Sequence, residues 1–108
     1  MQLTTFQILA DPTRLRIIEA LRSGERTVGD IVAQVEIDQS GVSRHLRILS
    51  EAGFAKSRPE GQRRLYSLKS EPFQELDAWV QQYRSLWEAR LDRFAQALGR
   101  KKKNQNHS

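Results

Sequence analysis

Apolar residues recur every three or four positions along most of this chain, the spacing of helices with one buried face. Leu3, Phe6 and Leu9 mark a short amphipathic helix. Asp11-Pro12 starts the next one: aspartate caps the first amide groups, and proline fits the first helical position, where its missing N–H costs nothing. Leu15, Ile18 and Leu21 give that helix an apolar stripe with Ile17 beside it, and Gly24 ends it. Thr27 opens a third helix, with Asp30 three residues on in a capping-box pattern and Ile31, Val32 and Val35 as its apolar positions. The pattern breaks at Glu36-Ile37. Asp38 then caps a fourth helix running to Ala52-Gly53, whose opening stretch DQSGVSRHLRIL sets Val42, Leu46 and Leu49 on one face.

The period changes after Gly53. FAKSR (54–58) reads as a strand, PEGQ (59–62) as a turn punctuated by Pro59 and Gly61, and RRLYSL (63–68) as the returning strand. Two short helices joined by a tight turn, then a basic hairpin, predict a winged helix-turn-helix. The fold class expected is mainly α with a small β-hairpin (α+β), made of five helices and a two-stranded wing. From Pro72 to Leu98 the chain is helical in pattern, with Phe73, Leu76, Val80, Tyr83, Trp87, Leu91, Phe94 and Leu98 at spacings of three or four and Trp79 on the same helix. Such a helix is roughly 40 Å long at ~1.5 Å per residue, more than a small wing domain covers. A second copy of the chain is the economical partner for its aromatic face, giving a two-fold dimer. Packing of the tryptophans on the chain's own first helix is compatible with that. Residues 1–98 are expected to form one DNA-binding and dimerisation domain, and 99–108, ending RKKKNQNHS, a basic disordered tail.

Charge changes the picture more than composition does. The net charge is +5 over 108 residues, but residues 39–69 alone carry seven Lys or Arg against Glu51 and Glu60, while 1–38 and 70–99 are each net acidic. Within that basic block the fourth helix turns Gln39, Ser40, Ser43, Arg44 and Arg47 away from its apolar face, with no carboxylate among them. Arg58, Arg63 and Arg64 flank the hairpin tip, suited to phosphates or a minor groove. This asymmetry is the footprint of a polyanion-binding surface; a merely solvated basic face is the alternative. His45 sits beside the apolar face, and the sequence leaves open whether it is a structural hydrogen-bonding residue or a phosphate contact. Gly41 is costly inside a helix, by ~1 kcal/mol relative to Ala, and permits either close packing or close approach.

Other chemistries find little support. The chain has no cysteine and only His45 and His107, which excludes disulfides, thiolate metal sites and cysteine nucleophiles and leaves little for a histidine metal site. No Ser/His/Asp set or Gly-rich phosphate loop is present, so an enzyme is not expected. No run approaches a membrane span and the first residues lack a signal-peptide pattern, so no membrane partner and a cytoplasmic location are expected.

ILADPTRLRIIEAL (8–21), DQSGVSRHLRILSEAGF (38–54) and SRPEGQRRLYSL (57–68) together resemble the ArsR/SmtB family of bacterial winged-helix repressors. The S-x-H-L-x-x-L-x-x-A-G element, Ser43 to Gly53, followed by a Gly-containing basic wing, is its most specific part. The resemblance implies homodimers joined through their first and last helices, binding palindromic operators and blocking transcription. It places Gln39, Ser40, Ser43 and Arg44 at base edges or nearby phosphates, and it adds Phe6 to Leu76, Trp79, Val80, Tyr83, Trp87, Leu91 and Phe94 as the dimer interface. Two departures concern metals. Arsenic- and cadmium-sensing members carry Glu-Leu-Cys-Val-Cys-Asp-Leu where this chain reads Glu25-Arg26-Thr27-Val28-Gly29-Asp30-Ile31, so both cysteines are replaced. The last helix also lacks the histidine of zinc-sensing members; its Glu88 and Asp92 are one turn apart, and Arg84 lies a turn before Glu88, a surface charge network. No metal and no cofactor are therefore expected. A small-molecule effector near Trp79, Tyr83 and Trp87 stays open, as does the rival reading of a winged-helix protein-interaction module whose DNA affinity is incidental.

Overall fold

The computed structural model describes residues 3–106, with side chains from Thr4 to Gly99. The chain divides into two compact units, residues 1–75 and 76–108. The first holds α1 (Leu3–Leu9), α2 (Pro12–Leu21), α3 (Val28–Val35), α4 (Gln39–Glu51), β1 (Ala55–Glu60), β2 (Arg63–Leu68) and the start of α5 (Glu71–Gln81); the second holds the rest of α5 and α6 (Arg84–Asn106).

The core of the first unit gathers Ile17, Ile31, Val42, Leu46, Leu49 and Phe54, all essentially without solvent exposure, with Ile8, Ile18, Leu21 and Val35 around them. Phe73 packs edge-on against Phe54, ring centroids 5.7 Å apart. The apolar stripe of α2 is rotated from its expected phase: Leu15 is 43% exposed while Ile17 is fully buried. The face through positions 14, 17, 18 and 21 is turned inward, and Leu15 outward. On that inner side the Arg14 guanidinium donates to the carbonyls of Ile8 (3.0 Å) and Gln7 (3.2 Å) at the end of α1, satisfying carbonyls that a helix end leaves open.

The predicted caps of α2 and α3 form. The Asp11 carboxylate accepts from the amides of Thr13 (2.8 Å) and Arg14 (3.1 Å). Thr27 and Asp30 exchange reciprocal hydrogen bonds of 3.1 Å. The turn into α4 lacks a glycine, so Glu36 itself takes the left-handed conformation (φ 57°, ψ 39°), a local strain of roughly 1–2 kcal/mol for a residue with a Cβ. Asp38 precedes α4 in extended geometry, but its side chain caps no amide. It accepts the Ser40 hydroxyl instead, at 2.5 Å, which corrects the expected capping role.

The wing is a tight antiparallel hairpin, paired from Ala55↔Leu68 to Glu60↔Arg63. Its loop is only Gly61-Gln62, shorter than the expected 59–62 turn. Gly61 takes φ +63°, as the first loop position of such hairpins demands. Pro59 lies within β1, the outer strand, where a missing N–H is tolerated. On the other side of β2, Arg26 and Tyr66 exchange backbone hydrogen bonds of 3.0 and 2.8 Å.

In the second unit the single long helix expected from Pro72 to Leu98 is two helices, making six rather than five among the described residues. The chain tightens between α5 and α6 into three-residue hydrogen bonds, Gln82 to Trp79, Tyr83 to Val80 and Leu86 to Tyr83, the 3₁₀ pattern. No proline or glycine marks this break. Side-chain bonds bracket it: Gln81 donates to Asp77 (3.2 Å) and accepts from Arg84 (2.8 Å). The α6 backbone runs on to Asn106, past residue 98 where the pattern ended. Among the described residues no helix is long and apolar enough to cross a membrane.

Candidate nucleic-acid interface

The two faces of α4 separate cleanly. Val42, His45, Leu46 and Leu49 are buried against the core, while Gln39, Ser40, Ser43, Arg44 and Arg47 are exposed. Four of the outer residues, Ser40, Ser43, Arg44 and Arg47, line one shallow hollow of about 280 Å³. Gln39 lines a neighbouring cleft of about 490 Å³ with Thr27, Val28 and Gly29 from the start of α3 and Gln62, Arg63, Arg64 and Tyr66 from the wing. The wing and the first turn of α4 thus share one concave surface. Among the described residues, Arg44, Arg47 and Arg63 make no hydrogen bond or close ion pair, although the Arg63 charge also acts on the Asp30 carboxylate. Arg64 is partly engaged, donating to the Ser57 hydroxyl at 3.1 and 3.2 Å.

His45 and Arg58, expected at a DNA surface, are placed otherwise. His45 is 8% exposed, and its Nδ1 is buried without a hydrogen-bond partner among the described residues. Its place is the inner face of α4, which decides against a phosphate contact. Arg58 forks onto the Glu25 carboxylate with hydrogen bonds of 2.7 and 3.1 Å. Those hydrogen bonds, with the opposite charge, hold the Glu25 carboxyl below the usual carboxylate range and raise the Arg58 pKa. Glu25 and Arg26 are contributors that the sequence pattern missed: they lie in the turn before α3, more than thirty residues from their wing partners, with no local signal to link them.

Gly41 also finds its reason. A Cβ there would stand 2.8 Å from Asp38 Oδ1 and 3.0 Å from Ile37 Cγ2. The glycine therefore makes room for the α3–α4 turn of this chain. The Asp38 carboxylate lies over it and accepts the hydrogen bond of the Ser40 hydroxyl.

On the second unit, Tyr83, Trp87, Leu91, Phe94 and Leu98 follow one another at intervals of three or four and are exposed, Phe94 at 64%. Trp79 and Tyr83 pack with ring centroids 5.0 Å apart and planes tilted by 55°, and Val80, next in the chain after Trp79, is exposed. Leu86, 66% exposed, was absent from the expected interface although it lies three residues after Tyr83. Phe6 on α1 is partly exposed in the first unit. Among the described residues no group of three or more His, Cys, Asp or Glu is placed to hold a metal ion.

A helix pair whose second member exposes a carboxylate-free, arginine-bearing face from Gln39 to Ser50, followed by a basic hairpin, defines a winged helix-turn-helix DNA-binding protein. The family described as bacterial regulatory protein, arsR family, matches residues 11–57. The transcriptional repressor SdpR of Bacillus subtilis is 35% identical over 75 residues, 69% of this chain and 83% of that protein. A probable mercury resistance operon repressor of Streptomyces lividans is 40% identical over 63 residues, 58% of this chain but only 50% of that protein. Among solved structures, a possible transcriptional regulator for arsenical resistance superposes with TM-score 0.67 at 35% identity, covering 76% of this chain and 85% of the other. The homodimeric winged helix-turn-helix DNA-binding domain (fragment 1–100) of a possible ArsR-family regulator from Mycobacterium bovis superposes with TM-score 0.61 at 31% identity, covering 75% of each chain. The chain belongs to the ArsR/SmtB family of winged-helix regulators. It is a DNA-binding transcriptional repressor, in a family of regulators rather than enzymes.

Proposed function

We propose that this repressor works as a homodimer on an inverted-repeat operator in the cytoplasm, with the N-terminal turn of α4 in the major groove. The observation that carries the reading is the division of α4: every fully buried residue faces the core, and the opposite face presents Gln39, Ser43, Arg44 and Arg47 with both arginines unengaged. Gln39 pairs with an adenine edge and Arg44 with a guanine, the geometries those side chains match. Ser40 and Ser43 are short and let the helix sit close. Arg47, Arg63 and Arg64 take phosphates, which fix register without reading sequence. The homodimeric Mycobacterium bovis domain and the exposed row Tyr83, Leu86, Trp87, Leu91, Phe94 support a dimer. Leu76, Trp79 and Val80 extend that surface along α5, and Phe6 is the share of α1. Two-fold symmetry then sets half-sites roughly 34–36 Å apart, one turn of DNA.

The test is fluorescence anisotropy with DNA from the promoter of its own gene at several salt concentrations. One inverted repeat is preferred, with a steep salt dependence. Arg44→Ala relaxes sequence preference by ~1–3 kcal/mol, whereas Arg63→Ala weakens all sequences alike and lowers the salt slope by about one. Equal, weak affinity for every DNA removes the proposal.

A further inference from the structure

Beyond the packing of Ala55, Tyr66 and Leu68 on the core, the wing carries two polar attachments to the turn before α3. One is the backbone exchange between Arg26 and Tyr66, at 3.0 and 2.8 Å. The other is the forked pair of Arg58 on Glu25, at 2.7 and 3.1 Å. The first fastens β2 and the second fastens β1. In the hairpin register Ser57 faces Tyr66 and Arg58 faces Leu65, so the ion pair grips one rung closer to the tip than the backbone bridge does. Between Glu25 and the strands lies a hollow of about 460 Å³, lined by Lys56, Ser57, Ser67 and Leu68 as well as the pair itself. Without the ion pair the rungs toward the tip have that space to turn into, while the base of the hairpin stays packed on the core.

We propose that Glu25 is a positioning residue for DNA binding: by gripping Arg58 it fixes the angle at which the wing presents Arg63 and Arg64, and Arg58 is thereby withdrawn from direct phosphate contact. Glu25 is acidic and Arg58 basic, and both are substantially exposed, with side chains 40% and 55% accessible. Exposed pairs add little to global stability, so this pair acts on the wing's orientation and leaves the fold intact. The inference rests on the DNA-binding reading, and it makes a prediction opposite to simple electrostatics. Removing a negative charge beside a basic surface ordinarily strengthens DNA binding. Here it weakens it.

The experiment compares wild type, Glu25→Gln, Arg58→Gln, the double variant and the charge-reversed pair Glu25→Arg/Arg58→Glu, by anisotropy on the operator and on unrelated DNA at several salt concentrations. Thermal melts confirm that each variant folds. Glu25→Gln and Arg58→Gln each raise the operator Kd by about three- to tenfold, the scale of an ion pair with favourable forked geometry. The double variant is no worse than either single one, because both remove the same interaction. The charge-reversed pair recovers most of the loss, although it places a glutamate on the wing. Tighter or unchanged binding by Glu25→Gln overturns the proposal. So does collapse of binding in the charge-reversed pair with a lower salt slope for Arg58→Gln, which would make Arg58 a phosphate contact. Wild type failing to prefer any operator would instead refute the specific-repressor reading, a result separate from these.

Discussion

Gly41→Ala separates two explanations for a glycine in the recognition helix. Alanine is favoured over glycine in a helix interior by ~1 kcal/mol, so an unconstrained site would be stabilised. At position 41 the new Cβ meets Asp38 Oδ1 at 2.8 Å and Ile37 Cγ2 at 3.0 Å. These neighbours yield at different cost. The Asp38 carboxylate is exposed and swings away, losing the Ser40 hydrogen bond of 2.5 Å, worth about 0.5–1.5 kcal/mol net and toward the lower end in solvent. Ile37 is β-branched, stiff at χ1, and packed against the core; forcing it off its rotamer costs about 0.5–1.5 kcal/mol. Taken together these losses match or exceed the propensity gain, and the variant is destabilised by about 0–1 kcal/mol instead of being stabilised.

Urea titration followed by circular dichroism, at one fixed protein concentration, measures this directly. Asp38→Ala and the double variant complete a cycle. Without the carboxylate, adding alanine at 41 costs less, by the share that Asp38 contributes. Gly29→Ala is the control, because a Cβ there meets only Thr27 Oγ1, at 3.8 Å, and no loss is expected. A Gly41→Ala variant that gains the full propensity of ~1 kcal/mol while losing DNA affinity would refute the reasoning. It would mean that the glycine is there for the DNA and that the turn adjusts freely.

Acid weakens the fold through its caps. The Asp11 carboxyl is held below its ordinary value chiefly by the Arg14 amide, with the Thr13 amide and the charge of Arg14 assisting and burial opposing. A depressed folded-state value stabilises above the unfolded value near pH 4 and is lost as pH falls through the folded one, so wild type weakens below about pH 4 and Asp11→Asn flattens that slope in urea melts. Asp11→Ala costs about 1 kcal/mol at neutral pH, as loss of an N-cap does. Leu91→Glu places a charge in the exposed apolar row of α6; sedimentation should show the dimer Kd raised by about a hundredfold or more, and an unchanged dimer would remove α6 from the interface.

What the sequence made legible follows from how far apart the interacting residues lie. The caps at Asp11 and at Thr27 with Asp30, the inner face of α4 and the hairpin are short-range patterns, and each was readable from residues within a turn or two. The phase of α2 was not, because Leu15 and Ile17 are equally apolar and the choice between them depends on tertiary contacts, among them Arg14 on the end of α1. The break at Gln82-Tyr83 was not, because the apolar spacing runs through it unbroken and no helix breaker stands there. The same principle sorts the interface. The exposure of Gln39, Ser43, Arg44 and Arg47 was legible because it is the complement of a helical stripe. His45, left open by the sequence, lies one step around that stripe on the buried side. The pairing of Arg58 was not legible, because a basic wing residue near a hairpin tip looks like every other one until the acidic partner from the α2–α3 turn is seen. Net charge therefore overstates this surface. Of the basic residues in the central block, Arg58 is gripped by a carboxylate while Arg44 and Arg47 are not, a difference that only the tertiary structure shows.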